Sequence, residues 1–154
     1  ILGTQSHADT GTSYMSVSAT VKHSCSIDTT PMAFGTYDGV VANASTTLNA
    51  TATIISTCTS GAAAHITMNA GAYEGSGSTD VPVRRMTAGA SEYLVYQVYS
   101  DVTRKTVWGN TVPTGIVTNG TGSPQTHKVY GSIPSAQLVP EGDYSDQIIV
   151  TITY

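Results

Sequence analysis

The feature of this sequence that most constrains its fold is the recurrence of apolar residues at every second position. This period places alternate side chains on the two faces of a β-strand, whereas an amphipathic helix repeats every ~3.6 residues. Segments with the period of two are 13–25, 48–58, 64–71, 92–100, 126–133 and 145–154, and clusters of Gly, Pro, Asn and Ser separate them. Because no segment combines helical spacing with a cap at each end, we expect an all-β antiparallel sandwich with Greek-key connections.

Length and charge limit the classes of partner. A chain of 154 residues suits one domain with a single core. Only 10% of the residues are charged and the net charge is -4, so nucleic acid, which requires clustered Lys and Arg, is not an expected partner. The adjacent basic pairs Arg84-Arg85 and Arg104-Lys105 are interpreted as solvated loop or edge charges. No apolar run reaches the ~18–20 residues of a membrane helix, so membrane insertion is not expected.

The two cysteines bear on the compartment. No further Cys, and no His at metal-ligand spacing, accompanies Cys25 and Cys58, so a single disulfide is the natural pairing and an oxidising compartment is favoured. The alternative is a pair of buried free thiols in a cytosolic protein. The first residues, ILGTQSHADTGTS, have neither the basic start nor the apolar centre of a signal peptide, so we interpret the chain as a mature secreted protein.

Patterns that would carry catalysis or metal binding are weak. Residues 9–11, Asp-Thr-Gly, match the triplet of aspartic proteases, but they lie in a polar segment rather than in apolar strand sequence. The sequence has no G-x-S-x-G element, and its four histidines are isolated from one another: His7, His23, His65 and His127. We interpret these histidines as surface or strand-edge residues. The sequence therefore predicts a protein that is not an enzyme, with no catalytic residue, metal or cofactor.

Segment 13–25, SYMSVSATVKHSC, raises a question of pairing. Its alternation predicts a strand with Met15, Val17, Ala19 and Val21 on one face and Ser16, Ser18 and Thr20 on the other. The apolar face is thin, and the segment lies near the beginning of the chain. Its partner is not evident from periodicity alone.

Four motifs in order resemble the spore coat protein U family, whose members include subunits of archaic chaperone–usher pili. They are CSIDTTPMAFGTYD from Cys25, IISTCTSG around Cys58, YQVYSDVTRKTVWG from Tyr96, and VYGSIPSAQLVPEGDYSDQIIVTITY to Tyr154. The resemblance runs from about Tyr14 to Tyr154, and it depends on the combination, since each motif alone is weak.

The resemblance implies an incomplete immunoglobulin-like Greek-key sandwich that lacks its last strand and is completed by a donor strand from another subunit. It implies a donor strand at 14–22, with Met15, Val17, Ala19 and Val21 as the inserting residues, after a flexible polar leader at 1–13 and before a single domain at 23–154. The acceptor groove and the chaperone-binding strand would include the residues of one face of the last segment: Ile148, Val150, Ile152 and Tyr154.

The function implied by the resemblance is that of a structural subunit of an extracellular fibre or coat. Its partners would be identical or related subunits in a head-to-tail polymer, a periplasmic chaperone and an outer-membrane usher. The protein would reach the bacterial cell surface or the spore coat through the periplasm. The alternative is a pilus-tip adhesin or other surface binding module, which would be expected to carry a further receptor domain or exposed apolar loop tips and would not need a donor strand.

Overall fold

The computed structural model describes residues 2–89 and 91–154. These residues form eight strands and one 3-10 turn, Val112–Thr114. The strands are β1 (Cys25–Thr29), β2 (Leu48–Cys58), β3 (Ala63–Met68), β4 (Arg84–Thr87), β5 (Tyr93–Tyr99), β6 (Ile116–Asn119), β7 (Gln125–Ile133) and β8 (Val150–Thr153). One sheet has the order β1-β2-β7-β5-β4 and the other the order β6-β3-β8, and every ladder is antiparallel. The predicted all-β class is confirmed.

The core lies between the two sheets. On β5 the alternation buries Leu94, Tyr96 and Val98, as a strand with one face on the core requires. Trp108 joins the two layers, because its backbone N donates to the Val98 carbonyl of the large sheet and its Nε1 donates to the Ile66 carbonyl of the small sheet at 2.9 Å. A buried indole N–H that finds a partner in this way removes a desolvation cost from the middle of the core.

The predicted disulfide between Cys25 and Cys58 is present. It crosslinks β1 and β2 at a directly opposed pair of residues, and Cys58 packs with Ala62 and Ala64 in a small apolar cluster beside the main core. The free-thiol alternative is therefore wrong. Closing a loop of this size stabilises a fold by about 3–4 kcal/mol, mainly by restricting the unfolded chain.

The interpretation of Arg84 as a solvated charge is wrong. Arg84 lies on β4 with 0% of its surface exposed. Its guanidinium donates to the carbonyls of Met68, Asn69 and Trp108 and, at 2.6 Å, to Oε1 of Gln97. Burial lowers the pKa of Arg84 to about 10, against the opposing influence of Tyr96 and Asp146. These carbonyls belong to residues 68–69 and 108, which are distant from Arg84 in the sequence, so the residues beside Arg84 did not indicate them.

One histidine differs from its interpretation. His65 lies on β3 opposite Val117 of β6 and Thr153 of β8, so it is not at a strand edge. His127 is half-buried on β7 opposite Ile54 of β2, outside the stretch of β7 that pairs with β5, which agrees with a strand-edge position. His127 Nε2 is 2.8 Å from Oγ of the fully buried Ser56, and burial lowers the pKa of His127. His7 and His23 are exposed, as expected.

The segment before Cys25 is not a strand in the single chain. Residues 2–24 have no regular secondary structure, and the side chains of Tyr14, Met15, Val17 and Val21 are each more than four-fifths exposed. The predicted strand at 13–25 begins only at Cys25, because an isolated strand needs a neighbour to pair its backbone groups. Ile1 of the predicted leader 1–13 lies outside the described residues.

Candidate functional site

An open cleft runs between the two sheets along one side of the sandwich. One part, about 640 Å³ in volume, lies between the chain at 29–34 and the chain at 144–150. A second part, about 990 Å³, continues between 32–40 and 137–144, and Met32, Phe34 and Tyr144 line both parts. The two walls run antiparallel to each other, because Thr29 and Val150 border one end and Val40 and Gln137 the other.

The floor of the cleft is the hydrophobic core itself. Ile54, Met68, Val98 and Val129 are buried residues that also line the first part of the cleft. Met32, Phe34, Ile148 and Val150 are only half-buried and pack against the same core. Apolar surface of this kind, continuous with the core, gains free energy when a further apolar element covers it.

Gly131 shapes one wall. It lies on β7, and a Cβ at this position would overlap the Met32 sulfur and stand 2.8 Å from the end of the Phe34 ring. The absence of a side chain at Gly131 therefore lets the chain at 32–34 lie close against the large sheet. Phe34 then meets Tyr96 edge to face, with ring centroids 6.3 Å apart.

Backbone groups on both walls lack ladder partners. Among the described residues, those at 31–37 form no backbone–backbone hydrogen bond after Thr30 donates to Thr53. On the opposite wall, Ser145 forms hydrogen bonds with Thr87, and Ile149 forms hydrogen bonds with Asn69. These bonds occupy the side of the wall that faces away from the cleft. Asp146 and Ile148, which alternate with these residues, form no such bond. The cleft therefore has backbone groups without ladder partners on both walls, above an apolar floor.

Asp146 anchors the second wall. Its carboxylate accepts hydrogen bonds from the Tyr96 hydroxyl at 2.6 Å and from the backbone N–H groups of Ala72 and Gln147 at 2.8 Å each. Burial, followed by the hydrogen bond to Asp146, raises the pKa of Tyr96 above its ordinary value. Because Tyr96 lies in the middle of β5, this contact fixes the free chain at 144–149 to the large sheet.

The four residues expected in the acceptor strand are placed differently along this wall. Ile148 and Val150 line the cleft. Ile152 lies on β8 opposite Ile66 and packs against the core and the disulfide cluster, whereas Tyr154 is 56% exposed beyond the end of β8. The other wall, which the predicted acceptor groove did not include, is the irregular chain at 29–40. Its Met32 and Phe34 lie within the first motif, but no role in the groove was predicted for them.

Exposed aliphatic side chains lie at the far end of the cleft. Val40, Val41 and Leu138 are each more than seven-tenths exposed. Their two loops pack together, since the Ala136 N–H donates to the Asn43 carbonyl at 2.8 Å and the Tyr37 hydroxyl bonds to both Pro134 and Gln137. We call these three exposed apolar residues the loop-end patch.

No group of three or more potential metal ligands occurs among the described residues, and none of the helical structure described there is long and apolar enough to cross a bilayer.

Comparison with known proteins agrees with the fold and the motifs. The family model of the Spore Coat Protein U domain matches residues 11–151. The chain belongs to the spore coat protein U family. Protein U of Myxococcus xanthus is 41% identical to it over 155 residues, which cover 96% of this chain and 87% of that protein.

A solved structure shares the fold of this spore coat protein U domain. It is the CsuC–CsuE chaperone–tip adhesion subunit pre-assembly complex from the archaic chaperone–usher Csu pili of Acinetobacter baumannii. The TM-score is 0.61 at 19% identity, over 88% of this chain and 40% of that one. The sandwich is thus immunoglobulin-like, as in chaperone–usher pilus subunits, and family and fold are those of structural proteins rather than enzymes.

Proposed function

We propose that this protein is a structural subunit of an extracellular fibre or coat, assembled by donor-strand exchange. The N-terminal segment 14–22 of one copy fills the cleft of the next, with Met15, Val17, Ala19 and Val21 against the core. The observation that carries the proposal is that one chain combines an open, apolar cleft, whose walls have backbone groups without ladder partners, with an unpaired alternating segment whose apolar residues are all exposed. Domain boundaries at 1–13, 14–22 and 23–154 belong to the same proposal.

Free energies decide what such binding requires. Burying Met15, Val17 and Val21 contributes about 1.5–3 kcal/mol each, with less from Ala19. Ordering about eight backbone residues costs about 8–16 kcal/mol. Ladder hydrogen bonds at about 0.5–1.5 kcal/mol each make up the difference only if the inserted strand pairs on both sides. The two open edges of the cleft, at 31–37 and 144–149, supply both sets of backbone partners.

The register of insertion is strongly determined. A shift by one residue turns Ser16, Ser18 and Thr20 toward the apolar floor and moves the four apolar side chains into solvent. Heterologous contacts of this kind do not close on themselves and produce a filament. We propose that the subunit reaches the bacterial surface or a spore coat through the periplasm, where a chaperone occupies the cleft until the next subunit replaces it at an outer-membrane usher; membership of the spore coat protein U family and the fold shared with a chaperone-bound pilus subunit support this route.

The test compares two variants that add one negative charge to the same segment. Val17→Asp places a carboxylate over the apolar floor and blocks assembly, whereas Ser18→Asp places it on the outward face and leaves assembly intact. Multimers are measured on gels of unboiled protein, beside a chain without residues 1–22. Loss of the multimer ladder in Val17→Asp and in the truncated chain, but not in Ser18→Asp, supports the proposal. Equal ladders in all proteins refute it.

The loop-end patch favours a second candidate, a surface binding module. Val40, Val41 and Leu138 offer an apolar contact surface remote from the start of β1. Replacing all three by Ser distinguishes the candidates, because a binding module loses surface attachment while a fibre subunit keeps its multimer ladder.

A further inference from the structure

Among the described residues, the hydrogen bonds that join the segment before Cys25 to the rest of the domain all involve Thr59. The Thr59 N–H donates to the Ser24 carbonyl at 2.9 Å, and the Ser24 N–H donates to Thr59 Oγ1 at 3.0 Å. The Thr59 hydroxyl also lies 3.3 Å from the Ser24 carbonyl and 3.4 Å from the Lys22 carbonyl. These contacts extend the pairing of β1 and β2 past the disulfide, to the last residues before the exposed segment.

The position of Thr59 is fixed by its own neighbours. It follows Cys58 of the disulfide, and its carbonyl accepts a hydrogen bond from the Ala62 N–H at 2.9 Å. Gly120 packs so closely that a Cβ there would overlap the Thr59 carbonyl oxygen. The Gly120 carbonyl accepts from the Gly61 N–H at 2.9 Å, which closes the turn around Thr59. The hydroxyl of Thr59 is therefore a rigid contact point for a segment that has few other contacts.

This contact point lies at the end of β1 away from the cleft. The cleft begins at Thr29, four residues beyond Cys25, or about 13 Å along the strand at ~3.3 Å per residue. If the segment turned back at residues 23 and 24, Val21 and Ala19 would lie beside β1 and fall short of the cleft. Only Met15 and Val17 would reach the apolar floor of their own domain.

We propose that Thr59 is a positioning residue that sets the direction in which the N-terminal segment leaves the domain, and so directs it to the cleft of a second copy rather than to its own. This inference rests on the proposed function. Loss of one hydrogen bond of this kind shifts the equilibrium between a docked and an undocked state by about fivefold.

The test measures the direction of the segment itself. Spin labels are attached at Thr20→Cys and Ser123→Cys in the oxidised protein, and labelled chains are diluted into unlabelled protein so that each distance is measured within one copy. Three proteins are compared by pulsed electron resonance: the unchanged chain at position 59, Thr59→Val, which keeps the shape without the hydroxyl, and Thr59→Ser, which keeps the hydroxyl.

We expect a narrow distance distribution with Thr or Ser at position 59, and an undocked population about fivefold larger with Val. A broad distribution in the unchanged protein, no change in Thr59→Val, or equal broadening in Thr59→Ser would each overturn the role of the hydroxyl. All three proteins also carry Val17→Asp and are verified as monomers by size-exclusion chromatography, because insertion of residue 20 into a second copy would itself narrow the distribution. The distances are then measured without assembly, so this result and the multimer test are read independently.

Discussion

Removing the Tyr96 hydroxyl should loosen the second wall of the cleft, at 144–150, without leaving a cavity. Tyr96 is buried in the middle of β5, and its hydroxyl donates to Asp146 at 2.6 Å. Tyr96→Phe keeps the ring and its edge contact with Phe34 and deletes only this bond. The carboxylate retains its two bonds from the Ala72 and Gln147 N–H groups, so it is not left unpaired.

The magnitude follows from the kind of bond. A hydrogen bond to a charged group contributes about 1.5–3 kcal/mol, and the remaining partners of Asp146 favour the lower half of that range. For a domain of this size we therefore expect the melting temperature to fall by about 3–8 °C. Because the folded-state pKa of Tyr96 is raised, its contribution is fully present below the unfolded value of 10.0 and is lost as pH rises above it.

The assay is urea unfolding at pH values below and above the phenol's ordinary pKa, with Val17→Asp in every protein so that assembly does not contribute. The free energies of the parent, Tyr96→Phe, Asp146→Asn and the double variant form a thermodynamic cycle. We expect a favourable coupling between Tyr96 and Asp146 at neutral pH and a smaller advantage of Tyr over Phe in strong alkali. Equal stability of the parent and Tyr96→Phe at neutral pH would refute the reasoning.

Two further perturbations probe the wall and the sheet. Gly131→Ala should destabilise the domain by about 1–3 kcal/mol, because its Cβ must displace Met32 and Phe34; a melting temperature equal to that of the parent would contradict this packing. His127→Gln should remove part of the acid sensitivity, since burial lowers the pKa of His127 and the unfolded state gains protons first as pH falls below ~6.5. The parent's urea midpoint should therefore drop more than that of the variant on acidification, and parallel pH profiles would argue against it.

The strands that the sequence predicted best are those with partners on both sides. β2 matches its predicted bounds, 48–58, and β7 at Gln125–Ile133 differs from its prediction, 126–133, by one residue. Both are long antiparallel neighbours in the large sheet, so alternation and ladder extent coincide. β4 and β6 were not predicted, because four residues are too few to establish a period.

In the last predicted strand, the alternation of side chains extends further than the pairing of the backbone. Residues 145–154 were predicted as one strand because Ile148, Val150, Ile152 and Tyr154 share a face, yet only Val150–Thr153 form a strand. Burial still alternates at 145–149, because Asp146 and Ile148 are half-buried while Ser145, Gln147 and Ile149 are exposed. The backbone there has an open edge, and a strand is assigned only where a ladder exists. The same reasoning covers 13–24, whose partner lies outside the single chain in our proposal.

Polar groups in the core could not be predicted from the sequence. Arg84 beside Arg85 has the composition of a surface pair, and only the folded chain places three carbonyls and the Gln97 amide around one guanidinium. The cleft could not be predicted from the sequence either. The motifs that carry the family resemblance include Met32, Phe34 and Gly131, but their contact depends on the close approach of an irregular segment to β7.

The most direct measurement of the central claim is photo-crosslinking from the inserting face of the segment. A benzophenone amino acid replaces Val17 in isotopically light chains, which are assembled with heavy chains and irradiated, and the crosslinked peptides are identified by mass spectrometry. Donor-strand exchange predicts mixed light and heavy products that join position 17 to residues 29–34 or 144–150 of another copy, while the same probe at Ser18 gives few of them. Crosslinks within one copy, or equal yields from both positions, would contradict it.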